Sequence, residues 1–92
     1  MNFPTNAFSL LQFAVKYFIY DLQETTENFI AKSVTPLNIV QITNTAIEKQ
    51  STKLENYCFN HFLIFFKQQI HVENMDSLDK EFAETLEEEL GQ

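Results

Sequence analysis

The sequence predicts an all-α protein made of stacked antiparallel helix hairpins, with about five helices. Its 92 residues include one glycine and two prolines, which leaves few positions for the tight turns that β-hairpins need. Apolar residues recur at helical spacing along most of the chain. A chain of this length forms one domain with a small core.

An internal repeat supports the hairpin architecture. A shift of 32 residues brings residues 10–30 onto residues 42–62. The shift pairs Leu10 with Ile42, Ala14 with Ala46, Val15 with Ile47, Leu22 with Leu54, and Ile30 with Phe62. The alanine recurs where two helices cross closely, as is typical of stacked helix hairpins.

The first hairpin is predicted from residues 6–32. Thr5 or Asn6 caps a helix over residues 6–19, and a break near Tyr20 and Asp21 leads into a second helix that ends near Lys32. The expected inward side chains are Leu11, Ala14 and Phe18, with Leu10, Phe13 and Tyr17 alongside, then Leu22, Thr26, Phe29 and Ile30.

The second hairpin and a terminal helix follow. Thr35 and Pro36 are a helix start signal for a third helix that ends near Lys49, and Ser51 caps a fourth that runs through Ile70. The expected inward residues are Ile39, Ile42, Ala46 and Ile47, then Leu54, Cys58, Phe62, Phe65 and Phe66. Asp76 or Ser77 caps the last helix, whose apolar stripe is Leu78, Phe82, Leu86 and Leu90.

Charge divides the single domain into two parts. Residues 1–72 contain five acids and five lysines, whereas residues 73–92 contain eight acids and one lysine, so the acidic terminal helix carries the net charge of −7. The chain has no arginine, which disfavours nucleic acid as a partner. One cysteine, no signal peptide and no long apolar stretch indicate a cytoplasmic or nuclear protein without a membrane span.

Candidate chemistry is sparse. Cys58 and His61 share a helix face and His71 follows, but zinc needs three or four ligands, so a buried core cysteine is the favoured interpretation. A Cys/His enzyme or metal protein is the alternative. A single glycine excludes glycine-rich nucleotide-binding loops. The late glutamates are expected to form a solvated helix face. We therefore predict no catalytic residues, no metal and no cofactor.

Two helices are apolar on almost every side, namely residues 8–20 and residues 57–66. A helix of this kind is covered on both faces. Either these helices are central in the stack, or one apolar face meets another protein or a further domain.

Residues 10–62 resemble the helices that end a BTB/POZ domain and continue into the 3-box and BACK region. The matching residues are Leu10, Leu11, Ala14, Lys16, Tyr17 and Leu22, then Thr35, Pro36, Asn38, Ala46, Leu54 and Cys58. Residues 74–90 resemble the next BACK helix. The sequence departs from the family at Thr26, where cysteine is common, and at Ile47 and Glu48, where an aspartate is common. The strands and dimerisation helix that open a BTB domain are not among these residues, so the resemblance implies a fragment.

The resemblance implies a non-catalytic part of a BTB-BACK substrate adaptor of a cullin-3 ubiquitin ligase. Its expected partners are cullin-3 and either its own BTB domain or a second copy. The resemblance nominates Lys16, Tyr17, Tyr20 and Asp21 as contacts, with Pro36, Asn38 and Ile39 as groove residues. For Tyr17 and Ile39 the alternative is packing in the core. The alternative function is a self-associating structural helical protein without affinity for cullin.

Overall fold

Five α-helices make up the fold in a computed structural model that describes residues 5–91. The helices are α1 (Thr5–Lys16), α2 (Tyr20–Lys32), α3 (Ile39–Glu48), α4 (Thr52–Lys67) and α5 (Lys80–Leu90), and a 3-10 helix spans Met75–Ser77. Helix α1 packs on α2, α3 on α4, α2 on α4, and α4 on α5. The described residues contain no strand. The predicted all-α class with about five helices is confirmed.

The first hairpin turns at a residue in the left-handed region. Phe18 has a φ of 58°, and the N–H of Ile19 donates to the carbonyl of Ala14 at 2.9 Å. The N–H of Phe18 donates to the carbonyl of Val15 at 3.3 Å. These two bonds form a Schellman motif, which satisfies the last carbonyls of α1 and reverses the chain. Helix α1 therefore ends at Lys16, three residues before the predicted end.

The same motif ends α3 and α4. Gln50 and Gln69 each have a φ of 60°, and the residue after each donates to a carbonyl five positions back, at 2.9 Å and 2.8 Å. Gln50 is the counterpart of Phe18 under the 32-residue shift. None of these positions is glycine, so each carries a backbone cost of about 1 kcal/mol. Helix α4 ends at Lys67 rather than at Ile70 for this reason.

The start of α3 differs from the prediction. Residues 36–38 form a turn and the helix begins at Ile39, not at Pro36. The N–H of Thr35 donates to Oδ1 of Asn38 at 2.7 Å, and the N–H of Leu37 donates to Oγ1 of Thr35 at 3.2 Å. These side-chain bonds satisfy the backbone of the turn before the helix begins.

The predicted caps also need correction. Helix α1 already includes Thr5 and Asn6, so its cap lies outside the described residues. Ser51 precedes α4 but makes no capping bond; its hydroxyl is directed towards Glu27 and donates to Oε2 at 3.1 Å. Asp79, rather than Asp76 or Ser77, caps α5 by accepting from the N–H of Phe82 at 3.1 Å. Asp76 and Ser77 lie in the 3-10 helix.

The core lies between the two hairpins and α5. Its buried hydrophobic residues are Phe8, Leu11, Ala14, Ile30, Ile39, Val40, Ile42, Ala46, Leu54, Cys58, Phe62, Val72, Leu78 and Leu86. Two residues expected to point inward do not, since Phe18 is 72% exposed and Phe29 is 60% exposed. Leu10, Phe13 and Tyr17 are also exposed. Leu90, expected on the inner stripe of α5, is exposed as well.

A substitution at Ala14 tests whether two helices cross closely at this residue. Its side chain is fully buried, as is that of Ala46 at the equivalent position. We expect Ala14→Leu to lower the free energy of unfolding by about 1–3 kcal/mol, because three added carbons overpack the contact. Urea denaturation followed by circular dichroism measures this loss. The control is Val15→Leu at the next, half-exposed position, and equal losses in both variants would contradict the crossing role of Ala14.

Candidate functional site

Exposed apolar side chains concentrate where α1 turns into α2. Among the described residues, seven of the eleven exposed large hydrophobic side chains lie within residues 10–20. We call Phe13, Tyr17, Phe18 and Tyr20 the aromatic corner. Phe18 and Tyr20 are 72% and 70% exposed, and Phe13 and Tyr17 are about half exposed. A cluster of exposed aromatic rings is typical of a protein-binding surface.

Phe18 has no structural reason to be aromatic. A bulky residue at positive φ is strained, and the side chain of Phe18 gains little burial in return. The equivalent corner between α3 and α4 makes the same hydrogen bonds with Gln50. Backbone strain of this kind clusters at binding sites, where the surrounding structure maintains it. The ring of Phe18 therefore contributes little to the packing of the fold.

The other members of the corner form a connected surface. The rings of Phe13 and Tyr17 lie 4.8 Å apart between centroids at an angle of 47°. The Nζ of Lys16 lies 5.5 Å from the centroid of the Tyr17 ring, within reach of a cation–π contact. Asp21 is exposed in the first turn of α2. The corner thus presents aromatic, cationic and anionic groups together.

An apolar groove lies beside the corner, between α1 and α2. It has a volume of about 350 Å³. Its walls are Ala7 and Leu10 of α1 with Leu22, Thr25 and Phe29 of α2. Because Phe29 is 60% exposed, the groove continues the apolar surface along the first hairpin.

Of the residues nominated from the sequence, four lie together and three do not. Lys16, Tyr17, Tyr20 and Asp21 are all exposed at the α1–α2 turn. The three groove candidates, Pro36, Asn38 and Ile39, lie in the connection between α2 and α3 and at the start of α3. Pro36 is half-buried, Asn38 is 5% exposed and Ile39 is fully buried.

Two of these three residues have structural roles in the described chain. The amide of Asn38 accepts from the N–H of Thr35 and donates to the carbonyl of Ser33 at 2.9 Å, so it closes the α2–α3 connection. Ile39 packs in the core. Tyr17, for which core packing was the alternative, is instead 56% exposed.

Sequence reasoning missed Phe13 and Phe18 as site residues, because their helical spacing suggested the core. The first hairpin has to reverse direction near residue 18, and no glycine is present there. This absence indicates that a residue with a side chain occupies the turn. When a helical spacing pattern is extended through a turn, the exposed residues of that turn are wrongly predicted to lie on the buried face of the helix.

The cysteine and histidines do not form a reactive group. Cys58 is fully buried, and burial raises the pKa of its thiol from 9.0 to about 11, while the neighbouring Thr43 hydroxyl lowers it slightly. The Nδ1 of His61 lies 3.2 Å from the carbonyl oxygen of Tyr57, and the two rings stack 4.2 Å apart. His71 is exposed and pairs with Glu73 at 3.2 Å. Within residues 5–91 no three His, Cys, Asp or Glu side chains form a group that could hold a metal ion.

Comparison of the chain with protein-family models, with curated proteins and with solved structures gives no significant match. None of the helices within the described part of the chain is long and apolar enough to cross a bilayer.

The buried thiol of Cys58 is expected to make the free energy of unfolding depend on pH in the alkaline range. The thiol is protonated more tightly in the folded chain, so its contribution is complete below pH 9 and is lost as the pH rises from 9 to 11. We expect a loss of about 3 kcal/mol across this window. Urea denaturation of the native chain and of Cys58→Ala at pH 8 to 11 isolates the thiol from the tyrosines and lysines. Parallel pH profiles for the two proteins would contradict the assignment.

Asn38 is expected to behave as a structural residue. Asn38→Ala removes both of its side-chain bonds and leaves a partly buried N–H and a partly buried carbonyl without these partners, at a cost of about 1–3 kcal/mol. Thermal unfolding measures this change. Asn28→Ala, at an exposed position of α2, is the control and should have little effect. An unchanged melting temperature for Asn38→Ala would disprove the role.

Proposed function

We propose that this chain is a non-catalytic protein-binding module that contacts its partner through the aromatic corner. The observation that carries the proposal is the conformation of Phe18, an exposed aromatic residue held at positive φ where the equivalent turn uses glutamine. Aromatic residues are enriched among the few side chains that dominate binding energy at interfaces. At Phe18 the positive φ costs backbone energy, and the ring is exposed to solvent.

A binding role fits the chemistry of the remaining side chains. The thiol of Cys58 stays protonated at neutral pH and is shielded from solvent, so it is a poor nucleophile. The ring of His61 packs against the rings of Tyr57 and Phe65. These features favour packing roles for both residues.

The partner that we propose is the N-terminal domain of cullin-3, with the chain acting in the cytoplasm or nucleus as part of a BTB-BACK adaptor. Two observations support this partner. The sequence resembles the helices of that family, and the four contacts nominated by the resemblance, Lys16, Tyr17, Tyr20 and Asp21, are exposed together at one corner. The partner would cover rings that the hairpin leaves in solvent.

Self-association is the second candidate. The apolar groove between α1 and α2 adjoins the corner, and a second copy or a BTB domain of the same protein could cover both. This function predicts a dimer that is lost when the corner is altered, and no affinity for cullin-3. Light scattering at several concentrations, with and without the cullin-3 N-terminal domain, distinguishes the two functions.

Replacement of Phe18 by glycine separates binding from stability. Phe18→Gly relieves the strain at positive φ, so we expect the free energy of unfolding to rise by about 0.5–1 kcal/mol. The same change removes the most exposed ring of the corner, and we expect affinity for the cullin-3 N-terminal domain to fall about 30-fold, as for a loss of 2 kcal/mol. Isothermal titration calorimetry and chemical denaturation measure the two effects.

Gln50→Gly is the matched control for this variant. It relieves the same strain at the equivalent turn and does not touch the corner, so it should raise stability and leave affinity unchanged. An equal loss of affinity in both variants, or no loss in Phe18→Gly, would argue against the corner as the contact. No binding of the unaltered chain would overturn the choice of partner.

A further inference from the structure

Three carboxylates follow one edge of α5 and line a shallow groove that Glu55 of α4 also lines. Glu81, Glu84 and Glu88 follow one another at helical spacing over about 10 Å, and all three are exposed. Leu86, on the opposite face of α5, packs in the core. We call the three glutamates the acidic ridge. In the described part of the chain the only ion pair joins His71 and Glu73, so no lysine neutralises the ridge.

A second charged surface lies elsewhere on the molecule. A cavity of about 540 Å³ between α1, α2 and the start of α4 is lined by Lys16, Lys49 and Lys53, three of the six lysines in the chain. Leu11 and Val15 give it an apolar floor. We call it the lysine groove. It is locally positive on a chain whose net charge is −7.

The groove also contains one buried acid, which is already paired. Glu27 is 6% exposed, and its Oε2 accepts from the hydroxyl of Ser51 at 3.1 Å. Three lysines against this one carboxylate leave an excess of two positive charges in the groove. The excess charge therefore has no counterpart among the residues that line the groove.

We propose that the acidic ridge of one molecule binds in the lysine groove of a second copy. A helix ridge with three carboxylates matches a groove with three ammonium groups in number and in sign. The groove's apolar floor adds contacts with the methylene groups of the glutamates. At physiological salt the Debye length is about 8 Å, so the contact pairs retain their attraction while repulsion between the two net charges is screened.

The contact is head-to-tail, because the ridge and the groove are different surfaces of one chain. Such an interface leaves a free ridge and a free groove at the two ends, so assembly continues into longer chains unless it closes into a ring. Phe13, Phe18 and Tyr20 do not line the groove and remain available to another partner. The inference does not depend on the function proposed for the aromatic corner.

A charge-swap experiment tests this interface. One variant carries Lys49→Glu and Lys53→Glu, and the other carries Glu84→Lys and Glu88→Lys; Lys16 is left unaltered because it adjoins the corner. We expect the mass-average molar mass of the native chain to rise with concentration in analytical ultracentrifugation. Each variant alone should stay monomeric, whereas an equimolar mixture should associate, because the native ridge of one variant matches the native groove of the other and the reversed charges of the two altered surfaces also match.

The matched control for the lysine variant carries Lys32→Glu and Lys67→Glu, which make the same change in net charge outside the groove and should leave association intact. Circular dichroism verifies that every variant is helical. A native chain that stays monomeric, a mixture that stays monomeric, or variants that associate like the native chain would each overturn the proposal. Loss of association in Phe18→Gly would assign the contact to the corner instead.

Discussion

The fold depends on three chain reversals made without glycine. Phe18, Gln50 and Gln69 each take up a left-handed conformation so that the following N–H groups can satisfy the last carbonyls of α1, α3 and α4. Without the first two reversals, α1 would not return onto α2 and α3 would not return onto α4. The buried alanines at positions 14 and 46 then allow the paired helices to approach closely. Packing energy in the core must offset the backbone cost at each reversal.

The two hairpins reverse direction with different residues at the equivalent position, and the proposed binding role rests on this difference. Gln50 meets the conformational requirement with a polar side chain, whereas Phe18 meets it with a ring that is 72% exposed. Selection for stability alone gives no reason for phenylalanine at this position. Binding gives one, because a rigid, exposed ring on a fixed corner loses little entropy when a partner covers it. The trade of stability for binding is a common feature of functional surfaces.

Much of the fold could be predicted from the sequence because it follows from local periodicity. The spacing of Leu54, Cys58 and Phe62 placed them correctly in the core, and the 32-residue repeat placed Ala14 and Ala46 at equivalent buried positions. The sequence-based predictions were wrong where tertiary contacts determine the local structure. Ser51 makes no capping bond to α4, and its hydroxyl is instead directed at the carboxylate of Glu27 in α2, which is 24 residues away. Four of the seven nominated residues lie together on an exposed corner. The helical spacing of Ile39 correctly indicated the core, whereas the role of Asn38 depends on a loop whose shape the sequence did not indicate.

The central claim is that the aromatic corner is the surface that binds a partner. The most direct test is a nuclear magnetic resonance titration of the isotope-labelled chain with the purified cullin-3 N-terminal domain. The account predicts amide shift changes centred on residues 13–21, with little change at Asn38 and Ile39. Changes confined to α5 or to the α2–α3 connection, or no change at saturating partner, would contradict it.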